Sequence, residues 1–546
     1  MTPADSSALN DVLAWHRLSS HAPGRFAPGP GGLDWITQPD PFQHWVGTQR
    51  LTLPLRPVRP DDTHPEPSTD ARTRLGQLLQ DSLGLSAWKE FGQSRWALRM
   101  NPSSGNLHPT EATLICPAIP GLSDTPFVAH YAPRDHSLEL RARVPLALWE
   151  ELVRQLPRES FLLGLSSIAW REAWKYGERA FRYVHLDLGH ALGALAFAAA
   201  PLGLSARSCP ALSHAQLETL LGLDSTRGPF HEIPDILVVL APADSLPDGA
   251  SGLSLTVPEG WNELHWQGEP ESLGALPRVW PGLRRMSELC RSSAPMTGPD
   301  EAPLPPLCDR WPRPGPSLRA LIHGRRSAVA MDGETAMPLE DFQRILQRCL
   351  PGAGHLPCAS LPQRPRVSLL IFVHRVTGLE SGLYLLLRDP AHEERLRAVS
   401  DPGLLWAPCG ESLAELPLRL LQPGDWRSRA AALSCGQEIA GEGCISLGML
   451  AEFRAGLEQV GPALYPRLYW ECGLLGQVLY LEAEAAGLSG TGIGCFFDEA
   501  VHTSIGLKDD SFRSLYHFTI GGAVRDTRLR TLPPYADRGT DSGDDA

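Results

Sequence analysis

Four stretches carry residue types that could hold a polar or anionic ligand. The first, Arg99-Met-Asn-Pro-Ser-Ser-Gly-Asn-Leu-His-Pro-Thr-Glu111, runs directly into the apolar Ala112-Thr-Leu-Ile-Cys116. Pro102 fixes a backbone angle, Ser103 and Ser104 offer hydroxyls, Gly105 admits close approach, and Asn106 is both donor and acceptor. The segment reads as a ligand-binding loop ahead of a strand, or as an ordinary Pro/Ser/Gly/Asn turn. His108 and Glu111 flank it and are second candidates, each equally suited to a local hydrogen bond. In the second stretch, Leu321 to Asp332, Arg325 and Arg326 stand beside Ser327, a set that suits a phosphate because guanidinium forks bond its oxygens bidentately. A solvated basic pair is the other reading. In the third, Thr527-Arg-Leu-Arg530, Arg528 and Arg530 share one face of an extended segment, so both basic clusters are expected to converge on one anion. The fourth is Gly490-Thr-Gly-Ile-Gly494, where Gly490, Thr491, Gly492 and Gly494 form either a loop whose amides approach a planar ring or anion, or a flexible helix end.

The elements that must position these residues follow an α+β order. A helix is predicted over about 71–85, then strands near 112–119, 127–132 and 138–144. A helix from about Trp149 and the stretch Trp170 to Tyr183 lead into a mostly apolar helix ending near Gly203, followed by a helix at 213–221 and a strand at 235–240. The second half repeats the order: a helix at 339–350, strands near 367–376 and 383–388, a long apolar helix ending at Gly487, another helix, and a strand at 515–520. One constant offset places Asp187 on Glu471, Gly189 on Gly473, Gly203-Leu-Ser205 on Gly487-Leu-Ser489 and Gly222-Leu223 on Gly506-Leu507. Two copies of one fold are therefore expected. The boundaries are 1–292 for the first copy, 293–316 for a Pro-rich linker, 317–536 for the second copy and 537–546 for an acidic tail. Residues 11–50 show neither period and read as an aromatic-rich arm packed on the body; 61–70 reads as a surface loop.

At 546 residues the chain exceeds the usual single-core limit, and its formal charge of −13 argues against a nucleic-acid or anionic-membrane binder. No basic-then-apolar leader opens the sequence, and the apolar run 191–206 is too short to span a bilayer, so a cytoplasmic protein is expected. The eleven cysteines include no Cys-x-x-Cys pair, which suits a reducing compartment and gives no metal spacing. Cys472 and Cys495 are the candidates for reactivity, against the alternative of buried structural thiols.

The copies diverge in complementary ways. The first holds the Pro-Ser-Ser-Gly-Asn loop but has Ala206-Arg-Ser-Cys-Pro210 where the second has its glycines; the second holds the arginines but no such loop before Val367. Together these motifs resemble the nitroreductase superfamily of FMN-dependent oxidoreductases, and within it the SagB-type dehydrogenases. Arg325-Arg-Ser327 resembles the family's amino-terminal signature, although Val329 or Ala330 stands where a further basic residue is common; Pro102 to Asn106 resembles its Pro-Ser-x-x-Asn loop. Gly490 to Gly494 and Arg528/Arg530 resemble its glycine loop and phosphate-binding pair.

The resemblance implies an interlocked α+β fold, here duplicated into an intramolecular pseudo-dimer within one chain, with further oligomerisation left open. One FMN would sit between the copies, held by Ser103, Ser104, Asn106, Arg325, Arg326, Ser327, Gly490, Thr491, Gly492, Gly494, Arg528 and Arg530. It further implies that Lys175 and Tyr176 handle protons, as base and as donor or relay, while the same stretch also fits an aromatic, basic helix start. Glu178 and Arg179 are expected to pair with each other. The substrate classes implied are a heterocycle-bearing peptide or a small molecule. A nicotinamide-dependent nitro or quinone reductase and a non-catalytic FMN-binding subunit are the alternatives.

Overall fold

The computed structural model describes residues 3–58, 68–223, 231–246, 253–292, 316–352, 357–361 and 363–536. The expected acidic tail, all of the Pro-rich linker but Pro316, and most of the 61–70 loop lie outside them.

Two seven-stranded sheets carry the duplication. In the first, Thr110–Cys116, Phe127–Ala132, Ser137–Arg143, Phe161–Ser167, Leu204–Cys209 and Ile233–Pro242 are joined at one edge by Gln49–Thr52. In the second, Val367–Val373, Gly382–Leu386, Leu418–Pro423, Ile445–Glu452, Ser489–Ile493 and Phe512–Gly521 occupy the same six positions in the same order, with the short Ala407–Pro408 at the edge. The register repeats as well: Thr110 pairs with Ser167, and Val367 pairs with Ala451, which lies at the offset read from the sequence. The strands Phe161–Ser167 and Ile445–Glu452 were not apparent in the sequence, where buried apolar runs resemble helix.

The two long helices, Ala180–Ala199 and Leu464–Ala485, pack against each other between the sheets. The first is buried along its length except at Phe197, as expected of a mostly apolar helix. They meet at the two glycines that the offset aligns. A methyl group on Gly189 would stand 2.2 Å from the Trp470 carbonyl oxygen, and one on Gly473 2.0 Å from the Leu186 carbonyl oxygen. Only a residue without Cβ permits this approach.

Each copy also lends an arm to the other. The amino-terminal arm is not irregular as expected but begins as the helix Pro3–Leu18, whose Val12, Leu13 and Trp15 enter the core of the second copy; Trp15 meets Tyr465 edge-on at 6.0 Å. Its Trp15 and His16 are buried against the second copy while Arg17 is exposed, and these bulky polar and aromatic residues obscure the helical period. In return, Arg530–Leu532 near the carboxyl terminus pairs with Leu85–Phe91 of the first copy, itself hairpinned to Ser94–Arg99. Gly473→Ala is expected to destabilise the fold by about 1–3 kcal/mol, because overpacking acts here against backbone rather than a mobile side chain; urea unfolding measures it.

Candidate functional site

Between the copies lies a cleft of two adjoining chambers, of about 660 and 300 Å³, with Pro102, Ser103 and Ser327 in the walls of both. Ser327 reaches it because the stretch 327–332 runs along the edge of the second sheet. Ser327 bridges Gly490, the Ala328 N–H donates to the Gly490 carbonyl at 3.0 Å, and that of Asp332 to the Gly522 carbonyl at 2.9 Å.

The larger chamber is cationic. Arg325 lines it, is 4% exposed, and lies with its guanidinium 4.9 Å over the Tyr480 ring. Its Nη2 reaches the Arg99 carbonyl at a long 3.4 Å, while Nε and Nη1 are buried without a partner. Burial pushes this guanidinium below its usual range. Buried N–H donors left unpaired are expensive; an anion in the chamber would satisfy them. Arg326 is held differently. Its donors go to the carbonyls of His323, Arg325 and, across the copies, Ser86, so it fastens the wall. Arg528 and Arg530, expected on the anion, do not line the cleft: both side chains are 74% exposed, Arg528 on Asp526 at 2.8 Å and Arg530 3.5 Å from Glu90. The strand Arg530–Leu532 is fixed by pairing to the first copy, and that pairing brings Arg525 and Lys89 to the rim instead.

The Pro-Ser-Ser-Gly-Asn loop forms the opposite wall. Gly105, Asn106 and His108 all take left-handed backbone angles, φ 62°, 61° and 51°. Such strain persists only where the surroundings enforce it. Ser103 Oγ accepts the His108 N–H at 2.8 Å, Asn106 Nδ2 donates to the Ala97 carbonyl at 2.8 Å, and Ser104 donates from N–H and Oγ to Asp187 at 3.0 Å. The hydroxyls and amide expected to meet a ligand directly thus build the loop that faces it. Behind it, the Arg171 guanidinium holds the His108 carbonyl at 2.8 Å and pairs with Glu111, and His130 bridges Glu111 at 2.9 Å and Glu139 at 3.0 Å. Glu111 therefore supports the loop from the core. Burial opposes the charge on His130, but the hydrogen bonds it donates to both carboxylates outweigh it and raise the imidazole to about 9.

The smaller chamber is walled by Tyr176, Tyr183, Asp187, Thr491, Gly492 and Cys495, among others. The glycine segment is not a loop but the edge strand Ser489–Ile493, and its glycines answer to aromatic neighbours: a methyl group on Gly490 would strike the Phe518 ring, on Gly492 the Tyr516 hydroxyl, on Gly494 the Tyr183 ring. Tyr183 OH and Arg179 Nη2 both donate to the Gly494 carbonyl, at 3.1 and 2.9 Å. Arg179 does not pair with Glu178; with Arg182 it clamps Asp498 of the second copy, while Glu178 accepts the Gly282 and Leu283 N–H groups. Burial pushes the Tyr176 phenol well above its usual range and Asp187 up to about 7 despite hydrogen bonds from Ser103 and Ser104. Lys175 lies 5.3 Å from the Tyr176 ring, behind Gly105, and does not line the chamber.

At the pseudo-equivalent place the wall is shut. Ser360, ahead of Val367, accepts at its carbonyl from Ser208 and donates its hydroxyl to the Ala206 carbonyl at 3.2 Å, so loop and edge strand touch. Glu471, aligned with Asp187, is fully buried in an ion pair with Arg388.

Asp187, Arg179, Tyr480 and Arg525 were not singled out as site residues from sequence. For Asp187 the signal was present: a lone carboxylate inside a mostly apolar helix.

No protein-family model matches the sequence. No curated protein matches it either. Among solved structures, a "putative nitroreductase" from Anabaena variabilis superposes with a TM-score of 0.70 at 22% identity, covering 94% of this chain and 99% of that one. The fold is therefore that of a nitroreductase-like protein along nearly the whole chain. A similarly described Ralstonia eutropha protein (TM-score 0.28, 18% identity, 42% of this chain and 98% of that one) and the Escherichia coli microcin synthetase McbBCD complex (0.25, 18%, 43% and 93%) also match.

Folding stability is expected to fall from about pH 6 to about pH 9. The imidazolium of His130 contributes in full below its unfolded pKa of about 6.5, and that contribution is lost as pH rises through about 9. The raised Asp187 carboxyl acts with the same sign through about 7. His130→Gln should flatten the alkaline part of a urea-midpoint profile.

Proposed function

We propose that the protein is an FMN-dependent oxidoreductase with one cofactor per chain. The observation that carries this is the buried guanidinium of Arg325, with Nε and Nη1 unpaired, at one end of a cleft whose other end is walled by a glycine edge strand and protonated tyrosines. Arg325 would meet the phosphate, with Arg525 and Lys89 at the rim; Ser327, Thr491 and Gly492 would line the path to the ring. The cofactor supplies hydride transfer to or from a substrate. The chain's own residues shape and protonate. Asp187 holds the strained loop, and Tyr176, kept in its phenol form by burial, is the proton donor of the chamber. Lys175 acts through Tyr176 and the loop rather than on the reacting atoms.

The closed equivalent place supports one site rather than two, and a cleft completed by one chain supports function without a second copy. In the reading we favour, the substrate is a small molecule or a heterocycle-bearing peptide, in the manner of SagB-type dehydrogenases, and the protein works in the cytoplasm; adjacent Lys175 and Tyr176 beside the cleft support that choice.

Wild-type protein incubated with FMN and freed of excess should retain one flavin per chain by visible absorbance, and Arg325→Ala should retain none. Two per chain would show that the closed place opens. Tyr176→Phe should keep the flavin and lose about 10²–10⁴-fold in turnover, the usual contribution of a positioned acid; flavin that no substrate reduces would identify a non-catalytic subunit.

A further inference from the structure

Cys495 follows the glycine strand and lines the smaller chamber; Cys435 is the middle residue of the turn after the helix Arg427–Leu433, in a left-handed conformation with φ 57°. The two belong to different elements sixty residues apart, and their sulfurs are 2.7 Å from each other. Their backbones are tied in place: Gln437 Nε2 donates to the Cys495 carbonyl at 3.0 Å, and the Phe497 N–H to the Leu433 carbonyl at 2.8 Å. Both cysteines are half-buried, whereas Cys116, Cys290, Cys349 and Cys472 are sealed in the core.

The surroundings make the two sulfurs unequal. The hydrogen bond from Cys435 draws the Cys495 thiol down to about 5 against burial, helped by a hydrogen bond from His21 and by the Arg179 guanidinium; the same contact drives Cys435 upward. His21 Nδ1 accepts the Ala27 N–H at 2.9 Å, which leaves the proton on Nε2, free to serve the sulfur. Asp498, the remaining charge nearby, is neutralised by Arg179 and Arg182. By contrast Cys472 is pushed well up by burial, so of the two cysteines singled out in the sequence it is the inert one.

We propose that Cys435 and Cys495 form a redox-active dithiol–disulfide couple, with Cys495 on the cleft wall, oxidised by a low-molecular-weight disulfide of the glutathione class. The Cys495 thiolate attacks one sulfur of the external disulfide, forming a mixed disulfide and releasing one thiolate, which takes a proton from solvent. Cys435 gives up its proton and attacks Cys495 Sγ, closing the internal bond and releasing the second thiol. Two electrons leave the protein and reduce one external disulfide to two thiols. The couple needs no cofactor, so it stands or falls apart from the flavin reading.

The test uses the full-length protein, exposed to graded ratios of reduced and oxidised glutathione, quenched with acid and digested for peptide mass mapping. Wild type should lose two titratable thiols together and yield one peptide pair joined through residues 435 and 495. Cys435→Ser should instead hold a stable glutathione adduct on Cys495, and Cys495→Ser should give neither product. Alkylation of Cys495 at about pH 6 should outpace that of an ordinary thiol, of pKa about 8.5, by tenfold or more, which a merely structural cysteine would not show. Retention of both thiols, or a glutathione adduct accumulating in wild type without the internal bond, would overturn the proposal.

Discussion

The contact of Gly189 with Gly473 sets the distances on which everything else depends. With no Cβ between them, the two long helices bring the backbone of each copy against the other. Asp187, just before one glycine, then reaches the Pro-Ser loop, while Tyr480 on the partner helix reaches Ser327 and the N–H of Gly492. A wider spacing would separate the anion-facing wall from the loop wall. The cleft is in this sense a by-product of helix packing, shaped by groups whose first duty is to hold the copies together.

Charge pairing across the copies repeats that duty. Arg179 and Arg182 on Asp498, and Arg319 on Asp81, are buried pairs joining residues more than two hundred positions apart. Such pairs add little net stability over apolar substitutes but are severely punished when one partner is lost, so they specify one docking of the copies over others. Arg325, on the cleft wall, differs from these pairs. It has the burial of a structural arginine without the carboxylate.

The duplication was legible in the sequence because glycine and acid positions recur at one offset, and the register of both sheets repeats it. The loop and the Arg-Arg-Ser stretch were legible because Pro, Gly, Ser and Arg have narrow uses. What escaped was what depends on the partner copy. Arg528 and Arg530 look basic and paired, but strand pairing to Leu85–Phe91 decides which residues of that segment face the cleft. The glycine run looks like a loop until Tyr183, Tyr516 and Phe518 are seen to fill the space of its missing side chains. Cys435 and Cys495, sixty positions apart, have no spacing that local pattern could detect.

The exchanged arms carry a consequence for synthesis. The helix Pro3–Leu18 has its seat in the second copy, and the rim of the cleft is closed by Arg530–Leu532 lying on a hairpin made more than four hundred residues earlier. A chain emerging from the ribosome therefore exposes the helix without its groove until the second copy is made, and a sheet edge without its last strand until residues 530–532 are made. Loop closure over such separations is slow. The rim of the cleft therefore forms only after residues 530–532 have been made and have paired with the hairpin.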